Sequence, residues 1–187
     1  MEDRPGSEII KTWPEESREA AQLVIDTYGD PQETTPTMLT WFDAGPWKRV
    51  LVSRVFYEHQ FPAPHYDSVE SVVDYQVPAE KATELAQFDG SVVVERTAGE
   101  ASARCHDEQA NFLALNLMHD IVTGQKDVAG ARQYYGKEFL DARRKLPTPY
   151  MEKLRFSPGR DTTDPDQRML SDEDLQKAQK EGEQRSS

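Results

Sequence analysis

The chain has 187 residues, 36% of them hydrophobic and 30% charged, which is enough for one domain with a modest core. A net charge of −12 excludes the basic field of a general nucleic-acid binder, and a single cysteine, Cys105, excludes an internal disulfide or a cysteine-built zinc site. No apolar run approaches the roughly 20 residues of a membrane-spanning helix, and the acidic start lacks the apolar stretch of a secretory signal, so a soluble cytoplasmic chain with no membrane partner is expected.

The acidity is uneven: residues 1–36 carry −6, residues 37–156 carry −3 and residues 157–187 carry −3. Residues 1–11 read as a flexible N-terminal arm. Thr12 and Glu15 have capping-box spacing, Pro14 suits a first turn, and Ala20, Ala21, Leu23, Val24, Ile25 and Tyr28 supply an apolar face. A helix is therefore predicted from residue 12 until Gly29 and Pro31 stop it. Residues 30–36 are turn-rich and read as a connector. Met38-Leu-Thr-Trp-Phe42 and residues 47–57 read as paired strands around the turn Asp43-Ala-Gly-Pro46. The prolines of Gln60-Phe-Pro-Ala-Pro-His65 remove ladder donors and mark a loop.

From residue 69 to 77 the pattern alternates, with Val69, Ser71, Val73, Tyr75 and Val77 on one face. Pro78 opens a short helix carrying Ala82, Leu85, Ala86 and Phe88. A second hairpin joins residues 91–95 to 101–105, its Ala101, Ala103 and Cys105 facing in and its Ser102 and Arg104 facing out. A helix over 107–122 is apolar around much of its circumference, which suits a place between a sheet and other helices. A second, amphipathic helix covers 126–144. Beyond 146 the apolar pattern fades, and a segment that polar buries too little to offset chain entropy of about 1–2 kcal/mol per residue. Ser171 with Asp174, and Leu170 with Leu175, mark one short helix there at 171–181. The fold class that follows is α+β: a single two-layer domain over 12–146, with about five mostly antiparallel strands and helices packed on one face, then a disordered acidic tail over 147–187.

Chemistry has several places to reside. A metal site drawing on His106, Glu108, His119 and Asp120 fails on spacing, because the two histidines sit roughly 19 Å apart along a helix. No metal and no cofactor are expected. Asn116, His119 and Asp120 form one polar stripe, read as solvated, with His119 favouring the helix's negative end. Asn111 falls inside the apolar arc of the same helix, where its amide needs partners from the sheet edge or the helix start. Cys105 precedes a helix N-terminus, a setting that activates a thiol, but its inward alternation marks a buried, inert one. Trp47 and Arg49 border a glycine-containing turn that reads as a hairpin turn before an anion site. His59 and His65 flank a loop, residues 56–66, whose aromatic surface suits either a binding rim or a tie onto the core.

The stretches Gly45-Pro-Trp-Lys-Arg49, Phe88-Asp-Gly90 through Ala103-Arg-Cys105, Asn111-Phe-Leu-Ala-Leu-Asn-Leu117 and His119-Asp-Ile-Val122 resemble a family of small uncharacterised prokaryotic proteins with no assigned activity. The resemblance covers about residues 20–140; it implies a shared domain and transfers no catalytic residue.

Two functions are weighed on these features. The preferred one is a non-catalytic domain that binds a protein or a small ligand, with a partner meeting the loop 56–66 or the tail, and a homo-oligomer left open. The alternative is a small enzyme with a pocket where the segment from Arg104 to Asn111 meets the sheet. Its catalytic candidates are Cys105, His119 and Asp120, and its ligand-binding candidates are Arg104, Asn111, Asn116, Trp47 and Arg49.

Overall fold

The computed structural model describes residues 5–159 and 162–185. Helix α1 (Gly6–Ile9) and a 3-10 turn (Ile10–Thr12) lead into α2 (Glu15–Tyr28). The strands are β1 (Glu33–Thr35), β2 (Met38–Ala44), β3 (Trp47–His59) and β4 (His65–Asp74), then, after α3 (Ala82–Phe88), β5 (Val92–Glu95) and β6 (Glu100–Cys105). Helices α4 (Glu108–Val122), α5 (Val128–Arg143), α6 (Pro149–Glu152) and α7 (Asp172–Arg185) follow.

The strands form one antiparallel sheet in the order β1-β2-β3-β4-β6-β5. The fold is α+β, as the sequence indicates. The additional strand is β1, three residues of the expected connector that pair Glu33 through Thr35 with Thr40 through Met38. Alternation sets the inner face: Leu39, Trp41, Val50, Val52, Val69, Ser71, Val73, Ala101, Ala103 and Cys105 are all buried. Helices α2 and α4 lie against this face. The small Ala101 and Ala103 let α4 approach β6 closely, and α4 brings Leu113, Leu115, Leu117, Met118 and Ile121 out of solvent altogether. Each such side chain stabilises the fold by about 1.5–3 kcal/mol. The β2–β3 turn needs glycine at Gly45 twice over: φ is +60°, and a Cβ there would meet the Tyr28 hydroxyl at 2.7 Å.

Both ends of the packed unit lie beyond the expected bounds of 12 and 146. The segment read as an arm buries Ile9 and Ile10, and Trp13 is held by Nε1–H donating to the Pro36 carbonyl at 3.0 Å. Thr12 does not cap α2; its hydroxyl donates to the Ile9 carbonyl and Pro14 takes the N-cap position. Residues 1–4 of that arm lie outside the described residues. At the other end, Tyr150, Met151, Leu154 and Phe156 pack against the core. Polar groups from two helices hold this segment. Asn116 Nδ2 donates to the Tyr150 and Lys153 carbonyls at 2.9 and 2.8 Å, and its Oδ1 accepts from the Arg155 N–H at 2.7 Å. Glu138, fully buried, accepts from the Tyr150 N–H and the Tyr134 hydroxyl. Helix α7 carries the expected capping box, with Ser171 and Asp174 bonded to each other in both directions. Among the described residues, no helix is long and apolar enough to cross a membrane.

Candidate functional site

The sequence-derived candidates do not converge. Arg49 makes a bidentate pair with Glu100 on the sheet's outer face, at 2.8 and 2.6 Å. Arg104 lies over the Tyr57 ring on that face. Trp47 is buried and donates from Nε1 to Glu108 at 2.5 Å, while the Tyr28 hydroxyl donates to the same carboxylate oxygen. Asn111 sits in the core, as its place on the helical wheel requires, and donates to the Val69 carbonyl and the Ser71 hydroxyl.

The stripe of Asn116, His119 and Asp120 is not solvated, because residues 150–156 cover it. Asn116 is 1% exposed and clamps that segment, whereas Asp120 pairs with Lys126 at 2.5 Å and accepts from the Tyr150 hydroxyl. His119 meets the Tyr75 hydroxyl at 2.8 Å and stacks on Phe156; burial lowers its pKa, with Asp120 acting weakly the other way. Cys105 is 1% exposed. Burial, and then the carboxylates of Asp89 and Asp67, push its thiol pKa well up, which is the reverse of what a nucleophile needs.

What does converge is a polar cluster under the tip of the β3–β4 hairpin. The register of these strands shifts between Val52 and Tyr57, and beyond the shift His59 stands directly opposite His65. Such irregularities re-aim side chains. Asp67 follows two residues later on β4, and Asp89 and Ser91 arrive from the junction of α3 and β5. Asp67 is 1% exposed and Asp89 2%, and each histidine side chain is 17% exposed. Phe61, Phe88 and Tyr135 wall the region, with ring centroids 5.1 to 6.4 Å apart.

The Asp67 carboxylate lies between the two imidazoles. His65 Nε2 is 3.0 Å from Oδ1 and His59 Nδ1 is 3.2 Å from Oδ2. The Ser91 hydroxyl donates to Oδ2, while Oδ1 has no aligned hydrogen-bond donor despite the nearness of His65. Asp89 Oδ1 accepts from the Ser91 N–H at 2.8 Å and lies 3.7 Å from His59 Nε2; its Oδ2 has no partner among the described residues. Burial raises the Asp89 pKa, the Ser91 N–H opposing it. Burial draws the His65 pKa down, but the Asp67 carboxylate and the Ala63 carbonyl outweigh it and leave that pKa raised. At His65 the neighbouring carboxylate therefore favours the positive form of the ring.

One ligand atom each from His59, His65 and Asp67 falls within a span of 4.8 Å, the one such grouping found among the described residues. The expectation of no metal site rested on the other histidine pair. The sequence signal for this one was available: two histidines bracketing a proline loop between strands, with an aspartate two residues after the second. No family model matches the chain, and no curated protein or solved structure matches it either. The chemistry of the cluster therefore rests on its own geometry.

Proposed function

We propose that this chain is a non-catalytic ligand-binding domain whose ligand is a small cation seated among His59, His65, Asp67 and Asp89. The observation that carries the reading is the pair of buried carboxylates, each with an oxygen that accepts no aligned hydrogen bond among the described residues. A buried ionised carboxylate costs several kcal/mol unless it is paired and hydrogen-bonded. Among the described residues, the basic side chains that approach these two are imidazoles and no lysine or arginine pairs with either. The small remaining exposure and the aromatic walls suit an ion better than a substrate molecule. The enzyme alternative draws on residues that lie in separate parts of the molecule, and its thiol is held protonated. One free, buried cysteine fits a reducing compartment, which favours the cytoplasm.

The test is the native mass of the protein from its own host, read before and after unfolding, for wild type and Asp67→Asn. A bound mass that is released on unfolding and missing from the variant supports the reading. An unchanged mass, together with no rise in melting temperature from added Ca²⁺, Mg²⁺, Zn²⁺ or Co²⁺, overturns it.

A further inference from the structure

We infer that the cation is a divalent transition-metal ion, coordinated by His59 Nδ1, His65 Nε2 and Asp67 Oδ1, with Asp89 as the group that orients His59. This rests on the cation-site reading above and adds the chemical class of the ion.

The argument starts from the imidazoles. A neutral imidazole has one N–H and one lone pair, and the bond made by the first decides where the second points. His65 Nδ1 lies 2.9 Å from the Ala63 carbonyl, which can only accept, so Nδ1 carries the hydrogen. The lone pair then sits on Nε2, facing Asp67 Oδ1 at 3.0 Å. In the neutral ring two acceptors face each other at close range, an arrangement that needs a positive centre between them, either a proton on Nε2 or a bound cation. His59 is placed similarly but is not fixed in the same way: Nε2 lies 3.7 Å from the Asp89 carboxylate, outside hydrogen-bond range, and Nδ1 lies 3.2 Å from Asp67 and 3.4 Å from the Ser91 hydroxyl. In both rings the outer nitrogen has a carbonyl or carboxylate oxygen behind it and the inner nitrogen faces the shared centre. At His65 this is the arrangement by which proteins fix the tautomer of metal-bound histidines; at His59 it requires Nε2 to close on Asp89 as the ion binds.

Charge and donor type narrow the ion. With both imidazoles neutral, as metal ligands are, two ionised carboxylates and one divalent cation sum to zero. Ca²⁺ and Mg²⁺ take oxygen ligands almost exclusively, whereas imidazole suits zinc, iron, nickel and copper. The 3.0 Å between His65 Nε2 and Asp67 Oδ1 is close to the about 3.3 Å between neighbouring ligand atoms around a tetrahedral ion with bonds of roughly 2.0–2.1 Å, and His59 supplies a third ligand atom within the 4.8 Å span. Three protein ligands are the set that leaves a position for water. Asp89 Oδ2, buried and unpartnered, is an acceptor for the hydrogen of such a water.

The experiment takes the full chain, strips it with a chelator and titrates it with Co²⁺. Expected are one equivalent bound, visible ligand-field bands, and an X-ray absorption fit that requires two imidazoles. His59→Ala and His65→Gln should abolish the bands, Asp89→Asn should weaken binding by about 10–100-fold, and His119→Ala should leave it unchanged. Circular dichroism confirms that each variant is folded, and His59→Gln replaces any that is not. If Ca²⁺ or Mg²⁺ binds in an Asp67-dependent way and Co²⁺ does not, the cation reading stands and the transition-metal inference falls. If Co²⁺ binds equally well without His59 and His65, the inference falls because the ion sits elsewhere. If no ion binds, both fall.

Discussion

At the scale of single residues, the cost of burying charge explains most of the polar placements. Glu100 is the clearest case outside the cluster. The Arg49 guanidinium, assisted by Lys48 and opposed by partial burial, holds its pKa down to about 2. A carboxylate whose pKa is lower folded than unfolded contributes stability that is complete above its ordinary value of 4.5 and is lost as pH falls toward 2. Glu100→Gln should therefore lower stability at neutral pH and flatten its decline between those two values, as read by urea titrations at a series of pH values. Asn111 and Cys105 were legible from the sequence because each belongs to a short-range pattern, a helical wheel and a strand alternation. The partnership of His59, His65 and Asp67 was legible only in part: the two histidines bracket a proline loop between strands, but their facing depends on a register shift that no local pattern announces. Reading the histidines as a loop rim missed that a hairpin sets its two ends side by side.

At the scale of elements, long periodic segments declared themselves and the exceptions share a cause. Helices α2, α4 and α5 and the β2–β3 and β5–β6 hairpins follow from spacing, since each buries a repeating apolar pattern. The segment after residue 146 has little periodicity, and its attachment comes from polar side chains on other elements, Asn116 and Glu138, which a sequence window does not associate with it. The same holds for β1, three residues whose pairing is dictated by β2. The clamp yields a definite expectation. Asn116→Ala removes three hydrogen bonds to backbone and should cost about 2–3 kcal/mol. The loss should be visible as earlier proteolytic cleavage within residues 147–159, with the helices and sheet retaining their hydrogen-exchange protection. Equal loss of protection everywhere would mean that the segment and the core unfold as one unit.

At the scale of the whole molecule, strand order was the property least available beforehand, because adjacent hairpins can join a sheet on either side. The structure inserts the second hairpin by its return strand, so that β6 rather than β5 meets β4. That choice brings the α3–β5 junction, with Asp89 and Ser91, over the tip of the β3–β4 hairpin, and the cluster exists because of it. An ion bound there links three separate stretches of chain, so its free energy adds to that of folding. At an ion concentration about 100 times the dissociation constant the gain is roughly 2.7 kcal/mol. For a chain of this size each kcal/mol moves the melting temperature by about 2–4 °C. A chelator should then lower the melting temperature by roughly 5–11 °C in wild type and leave Asp67→Asn unmoved; equal shifts in both would place the effect at another site.

The strand order also decides what the sheet offers to its surroundings. Its two margins are β1 and β5, three and four residues long, each carrying a glutamate, Glu33 and Glu95. Margins this short present few open backbone groups, and charge there disfavours a neighbouring strand. The long apolar-rich strands that would seed intermolecular stacking, β3 and β4, are paired on both sides. Crowding of many copies should therefore leave the sheet inert toward its own kind, so that aggregation, when it comes, follows unfolding rather than edge-to-edge growth of the native protein.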